Sequence, residues 1–396
     1  MDKSWKTRLI HSDVKVPDGY RSLASPVFRG STTLFPDAAS VDDTWDQYEA
    51  GYTYGLYGTP TTLELAGKIC ELEKGYRTFI TPGGQGAIAL INLALLKAGD
   101  HILIPENIYT PNRKLAYHVL RRFGVELSFY PPQIGAGIRD LVRANTMLVW
   151  CESPGSITME VQDVPAIAEA VHARQAQDHS VLVALDNTWA AGVYFDAFSH
   201  GVDVTMQALT KYVGGHSDLL LGSVTVKEKE LYQKLGATNQ LLGCAASPDD
   251  CSLALRGMRT MAVRLKHIET SARKIAEWLS ERPEIERVLH PALPSCPGHE
   301  FWERDFTGSA GVFSIVFKPE ATKAEVQYLV DKLELFEIGY SWGGVVSLAV
   351  AYDFHGSKGR PDYGHRIVRL NIGLEDTNDL LEDLEAGLTQ VWGGRA

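Results

Sequence analysis

Residues 202–218 read Val-Asp-Val-Thr-Met-Gln-Ala-Leu-Thr-Lys-Tyr-Val-Gly-Gly-His-Ser-Asp, and this stretch decides the fold. The run from Val202 to Leu209 predicts a buried strand, and Lys211 follows it almost at once. A lysine in this place cannot easily reach water, so desolvation lowers the pKa of its amine and makes it available as a nucleophile. The alternative is a lysine at a sheet edge, whose amine reaches solvent past a buried stem.

The segments on either side of this strand alternate between short apolar runs and helical periods. Strands are predicted over 101–105, 125–129, 147–150 and 181–185, with helices over 63–73, 84–97, 112–123 and 165–176. This alternation is typical of a mostly parallel sheet covered on both faces. Ligands of such sheets bind beyond the carboxyl ends of the strands, so Asp186 and Lys211 are expected to face one pocket.

The second half of the chain has a different organisation. A long helix is predicted over 252–279, and three prolines then break the regularity. Strands over 311–317, 345–351 and 367–372, with helices over 323–333 and 378–391, predict a smaller α/β domain. The first 60 residues show no clear helical periodicity. We therefore divide the chain into residues 1–60, a large domain over 61–255 and a small domain over 256–396.

Composition excludes several classes of protein. Apolar residues make up 45% of the 396 residues, which is enough for a large core. With 38 basic and 49 acidic residues the formal charge is −11, which disfavours binding to nucleic acid or to an acidic membrane. Five scattered cysteines form neither a disulfide framework nor a C-x-x-C metal or redox pair, and no signal peptide or membrane span is apparent. A cytoplasmic location and no metal are expected.

Four features in chain order suggest one cofactor. The glycines of residues 81–87 precede a helix and predict a phosphate cradle, and Tyr109 follows the next strand, where its ring could stack on a planar group. Asp186 could pair with a pyridinium nitrogen, and Lys211 could form a Schiff base with an aldehyde. Pyridoxal phosphate (PLP) explains all four. Taken singly, they could be a turn, a packed tyrosine, a capping aspartate and an edge lysine; a nucleotide site at the glycines leaves Lys211 unexplained.

These motifs resemble the cysteine and methionine metabolism family of PLP enzymes, from about Arg29 to the C-terminus. The most specific is Thr210-Lys211-Tyr212 followed by residues 215–218. The resemblance implies the aspartate aminotransferase-like, type I fold, with a mostly parallel sheet in the large domain. It also implies that PLP is bound by Gly84, Gln85, Tyr109, Asp186, Thr210 and Lys211.

The C-terminal motifs bear on the reaction. Tyr340-Ser341-Trp342 and Arg369 match the family's substrate-binding residues, with the arginine pairing with the substrate α-carboxylate. The γ-lyases and γ-synthases of the family usually carry leucine at the position of Trp342. A tryptophan there resembles the bacterial cystathionine β-lyases. Cleavage of L-cystathionine, or of the related substrate cystine, at the β-carbon is therefore expected. The alternatives are a γ-elimination or γ-replacement enzyme and a non-catalytic PLP-binding regulator.

Residues 54–61 contain a departure from the family pattern. The family segment usually reads Tyr-Gly-Arg, and its tyrosine and arginine reach into the partner subunit's site, where the arginine binds phosphate. Here Tyr54 is kept, but Leu56 replaces the arginine and cannot donate to phosphate. The resemblance implies that Lys211, Tyr109 and Tyr54 carry the catalysis. It also implies that residues 1–60 reach a neighbouring subunit in a homo-oligomer, a tetramer built as a dimer of dimers.

Overall fold

The structure, a computed structural model, describes residues 4–11, 18–20, 22–173, 180–356 and 361–393. Within them two sheets follow one another along the chain, and a single long helix lies between them in sequence. The predicted helix over 165–176 is present as far as Ala173, and its last three positions lie outside the described residues.

The first sheet is the mostly parallel one that the alternating pattern predicts. Its strands are β1 (Arg77–Thr81), β2 (His101–Pro105), β3 (Glu126–Tyr130), β4 (Thr146–Glu152), β5 (Leu182–Asp186), β6 (Val204–Ala208) and β7 (Gly222–Val226). Their order is β1-β7-β6-β5-β4-β2-β3. Neighbours from β6 to β3 run parallel, and β7 is antiparallel to both β6 and β1. The carboxyl ends of β2, β4, β5 and β6 therefore meet at one edge of the sheet.

The second sheet is mostly antiparallel. It contains β8 (Ile285–Leu289), β9 (Val312–Phe317), β10 (Glu337–Ile338), β11 (Leu348–Phe354) and β12 (Gly364–Asn371). The order is β10-β11-β12-β9-β8, and only β10 and β11 are parallel. Since β12 lies between two partners, Arg369 is on a central strand and is not a surface residue of a sheet edge.

Helices cover these sheets and connect their strands. They are α1 (Trp5–Arg8), α2 (Gln47–Ala50), α3 (Pro60–Glu73), α4 (Gly84–Leu95), α5 (Thr110–His118), α6 (Val164–Ala173), α7 (Lys229–Leu242), α8 (Pro248–Ser280), α9 (His299–Asp305), α10 (Lys323–Lys332) and α11 (Thr377–Trp392). The helix predicted over 112–123 is divided, because Val119 leaves helical geometry (φ −116°, ψ −64°) and a 3₁₀ turn, Leu120–Phe123, follows. Among the described residues, no helix combines the length and the apolar character that crossing a membrane requires.

Helix α8 fixes the two sheets relative to one another. Ser247 caps it by accepting from the Asp250 amide, and Pro248 occupies its first turn, where a missing N–H costs nothing. Its first half places Met258 in the core beside the parallel sheet, and its second half places Ile275 in the core of the second sheet. Because one rigid helix enters both cores, residues from β12 are held near the carboxyl edge of the first sheet.

Candidate active site

Lys211 lies one turn beyond β6, with its amine inside the protein. Its Nζ donates to Ser341 Oγ at 2.5 Å and lies 5.3 Å from the centroid of the Trp342 ring. Burial, together with the charge of Arg369, lowers the pKa of this amine to about 8, and the charge of Asp186 opposes the shift. At pH 7 an amine of this pKa is neutral in about a tenth of the molecules, so Lys211 remains a candidate nucleophile.

Asp186 ends β5, next to the strand that leads to Lys211. Its Oδ1 accepts from the amide of Thr188 at 3.0 Å and from the Thr188 hydroxyl at 2.5 Å. The same hydroxyl accepts from the Ala208 amide at 2.9 Å, which ties the ends of β5 and β6 together. Burial raises the pKa of Asp186, while its bonds to Thr188 and the charge of Lys211 hold it down. A fixed, partly buried carboxylate can pair with a protonated ring nitrogen.

Tyr109 precedes the first residue of α5 and presents a partly exposed ring. Its amide donates to Glu152 Oε2 at 2.6 Å, and its side chain remains 42% exposed. Burial raises the pKa of the Tyr109 hydroxyl, and the negative charge of Asp186 adds to the effect. Tyr109 is therefore a neutral aromatic surface at neutral pH. Sequence reasoning missed Glu152, although it ends β4 just as Asp186 ends β5.

The predicted phosphate cradle is the start of α4. Gly83 has a positive φ of 87° and precedes Gly84 and Gln85, the first two helical residues. A methyl group on Gly84 would lie 2.8 Å from Ala208 Cβ, so the helix can approach the end of β6 only because this residue has no side chain. The N-terminal amides and the helix dipole suit an anion beside Lys211. The Thr210 hydroxyl faces Leu221, whose carbonyl accepts from it at 3.2 Å.

The second sheet brings the predicted substrate residues to the same place. Arg369 is 8% exposed, and its NH1 and NH2 groups donate weakly to the carbonyls of Ser156 (3.5 Å) and Ser341 (3.4 Å). Its guanidinium lies 5.3 Å from the ring centroid of Tyr352, another residue that the sequence did not indicate. Burial lowers the pKa of Arg369, while Tyr340 and the other nearby tyrosines oppose this shift. Among the described residues its side-chain hydrogen bonds are these two long ones, so this fork of donors can take a carboxylate.

The described contacts of Tyr54 are with residues of its own N-terminal segment. It pairs with Thr32 in an isolated bridge, its ring lies 6.2 Å from that of Tyr57, and it is 43% exposed. Leu56 lines a small cavity beside Trp45, on the inner side of the same segment.

The geometry defines a class of protein. Four features of the site match four groups of PLP. The lysine of lowered pKa matches the aldehyde, and the fixed carboxylate matches the ring nitrogen. The exposed aromatic ring matches the ring face, and the helix N-terminus that only glycine allows matches the phosphate. The chemistry of these groups fits that cofactor, and the fold and site are those of a PLP-dependent enzyme.

The chain belongs to the Cys/Met metabolism PLP-dependent enzyme family, whose model matches residues 6–389. It is similar to the cystathionine beta-lyase of Escherichia coli, with 39% identity over 98% of this chain and 99% of the relative. It is also similar to an L-alanine/L-glutamate racemase of Wolbachia pipientis, with 36% identity over 97% and 96% of the two chains. A solved structure, the cystathionine gamma-lyase of Lactobacillus plantarum, superimposes with a TM-score of 0.87 at 26% identity, covering 98% and 99% of the two chains.

Proposed function

We propose that this protein is a PLP-dependent carbon–sulfur β-lyase that cleaves L-cystathionine, with water, to L-homocysteine, pyruvate and ammonia. The observation that carries the proposal is the position of Trp342, whose ring lies beside the Lys211 amine at 5.3 Å. The resemblance to the Escherichia coli cystathionine beta-lyase over nearly the whole chain supports it. The reaction is a trans-sulfuration step of methionine biosynthesis.

Lys211 performs the proton transfers at the α-carbon. Bound PLP supplies an aldehyde that links to amino groups and a ring that draws electrons from the substrate α-carbon. Lys211 would hold the cofactor between turnovers, and its neutral Nζ would take the substrate α-proton. Ser341 Oγ, 2.5 Å from that nitrogen, keeps the amine on one side of the site.

The other residues orient the two reacting partners. Asp186 would pair with the ring nitrogen of bound PLP, and the amides of Gly84 and Gln85 would hold its phosphate. Tyr109 would cover the ring. Arg369 pairs with the substrate α-carboxylate through its guanidinium fork, which the long bonds to Ser156 and Ser341 leave able to reorient.

Product analysis tests the proposal. Purified protein loaded with PLP is given L-cystathionine, and the keto acid and thiol products are identified. Pyruvate with homocysteine is expected, and Lys211→Ala should abolish its formation. Formation of 2-oxobutyrate with cysteine would instead assign γ-cleavage, and PLP uptake with no turnover of any thioether would assign a PLP-binding regulator.

A second activity follows from the racemase relative. The step that begins β-cleavage, removal of the α-proton by Lys211, also begins racemisation when a proton returns to the opposite face. Incubation with L-alanine, which has no β-leaving group, separates the two: formation of D-alanine would assign a racemase activity to the same site.

Assembly is part of this proposal. Tyr54 is 43% exposed, and its ring packs on Tyr57 of its own segment, which supports its donation, with residues 1–60, to the site of a neighbouring subunit. A closed homo-oligomer, a tetramer built as a dimer of dimers, would then contain complete sites. Within each subunit, residues 61–255 would hold the cofactor and 256–396 would close on the substrate. We propose a cytoplasmic location, in keeping with the cysteines, which are free thiols in the structure.

A further inference from the structure

Glu152 is a buried carboxyl group that the proposed mechanism does not use. It is the last residue of β4, is 5% exposed, and lies directly beside Asp186 in the parallel register. Its Oε2 accepts from the Tyr109 amide at 2.6 Å, and its Oε1 accepts a short hydrogen bond from the Ser156 hydroxyl. Both acceptor oxygens are thus committed to other loops of the site.

The two partners of Glu152 serve opposite sides of the site. The Tyr109 amide fixes the start of α5, and with it the ring that would cover the cofactor. The Ser156 carbonyl accepts from Arg369 NH1 at 3.5 Å, on the side of the substrate carboxylate. The two loops also meet where the Ser156 amide donates to the Asn107 carbonyl, but this bond is long, at 3.4 Å.

We propose that Glu152 is a positioning residue, which holds Tyr109 against the cofactor and, through Ser156, holds Arg369 at the substrate carboxylate. The substrate part of this inference rests on the proposed function, whereas the part that concerns PLP binding does not depend on the reaction. Glu152 would then support both the affinity for PLP and the affinity for the substrate.

The charges of the site indicate which substitution is conservative. Two adjacent buried carboxyl groups do not both ionise readily. Asp186 has the Thr188 donors and the charge of Lys211 to favour its anion, whereas burial and the neighbouring Asp186 raise the pKa of Glu152 well above its ordinary value. Glutamine has the same shape as a neutral glutamic acid. Its oxygen can accept from Tyr109, and its amide can donate to the Ser156 hydroxyl.

The test compares variants of the holoenzyme by two readouts. PLP release is followed on dilution into an aldehyde trap, and kcat and KM are measured with L-cystathionine. Glu152→Ala is expected to release PLP about tenfold faster and to raise KM about tenfold, because it removes the hydrogen bonds to the Tyr109 amide and the Ser156 hydroxyl. Glu152→Gln should stay within about threefold of wild type in both. Ser156→Ala should raise KM and leave PLP release unchanged.

Glu73→Ala is the matched control, since Glu73 is equally buried and accepts from Asn187 and Gln207, yet contacts neither Tyr109 nor Ser156 through any described hydrogen bond. It should lose thermal stability without changing PLP release or KM. If Glu152→Ala behaves like this control, the residue is only structural and the proposal is wrong. If Glu152→Ala does not fold, Glu152→Asp replaces it, because its shorter side chain cannot reach both partners. If the wild-type protein does not cleave L-cystathionine, the proposed function is wrong. The rate of PLP release from Glu152→Ala would still test whether Glu152 positions Tyr109.

Discussion

In cofactor-free protein, the Lys211 amine is predicted to titrate near pH 8. Burial, aided by Arg369, lowers its pKa to about 8. At pH 7.5 roughly a quarter of the molecules then carry the neutral amine, against about one in a thousand for a lysine of ordinary pKa. Because only the neutral amine attacks a carbonyl, burial raises the concentration of the nucleophile about 200-fold.

Competitive labelling measures this pKa at a single residue. Cofactor-free protein is treated with a trace of acetic anhydride between pH 6 and pH 11, and acetylation of the Lys211 peptide is quantified by mass spectrometry. Exposed lysines of the same digest correct for changes in the reagent. Labelling of Lys211 should rise about tenfold per pH unit at first, pass its midpoint near pH 8 and level off above about pH 9.

Two charge-removing variants test the cause of the shift. Arg369→Gln removes a positive neighbour and should move the midpoint upward, whereas Asp186→Asn removes a negative neighbour and should move it downward. Opposite shifts cannot result from a general loosening of the site. A wild-type midpoint at pH 10 or above would refute the argument, and so would two variants that move the midpoint in the same direction.

Three further predictions concern residues around the site. Burial raises the pKa of Glu73 to about 7, so stability should fall by about 3 kcal/mol as the pH rises from about 4.5 to 7 and then level off. Urea unfolding of Glu73→Gln should lack this slope, and an equal slope would contradict the assignment. Mixing inactive Tyr54→Phe and Lys211→Ala chains should restore part of the activity through hybrid sites, unless a monomer proves fully active by sedimentation. Leu56→Arg should slow PLP release into an aldehyde trap, by about tenfold if the new guanidinium reaches the phosphate, with the cleaved bond unchanged; an unchanged rate would mean that another group already binds the phosphate.

The parallel sheet could be predicted because its strands are short apolar runs that end in polar residues. The run before Asp186 is a strand to its last residue, and β6 stops at Ala208, three residues before Lys211. Strands β1 and β7 were missed, since both mix threonine with apolar residues. In the structure the hydroxyls of Thr78 and Thr225 bond to each other at 2.8 Å across the two strands. The sequence of one strand does not show that its buried hydroxyl has a hydrogen-bond partner on a neighbouring strand.

The same limit applies to Glu152 and Glu73. Each glutamate owes its place to a partner more than 40 positions away, Tyr109 for the first and Asn187 for the second. Buried carboxyl groups are rare unless they are hydrogen-bonded, so the pattern alone favours exposure. Only the register of neighbouring strands shows that Glu152 lies beside Asp186.

Ser341 shows most clearly what tertiary structure adds. Its φ of +85° lies in the region that favours glycine, at a strain of about 1–3 kcal/mol. In this conformation its hydroxyl accepts from Lys211 and its carbonyl accepts from Arg369 NH2. In the proposed mechanism the first contact would lie beside the proton that is moved, and the second beside the substrate carboxylate. A glycine would relieve the strain but would remove the hydroxyl, whereas serine in relaxed geometry would turn at least one of the two groups away. The backbone is therefore strained at a residue that contacts both Lys211 and Arg369, the proposed base and the proposed carboxylate-binding arginine.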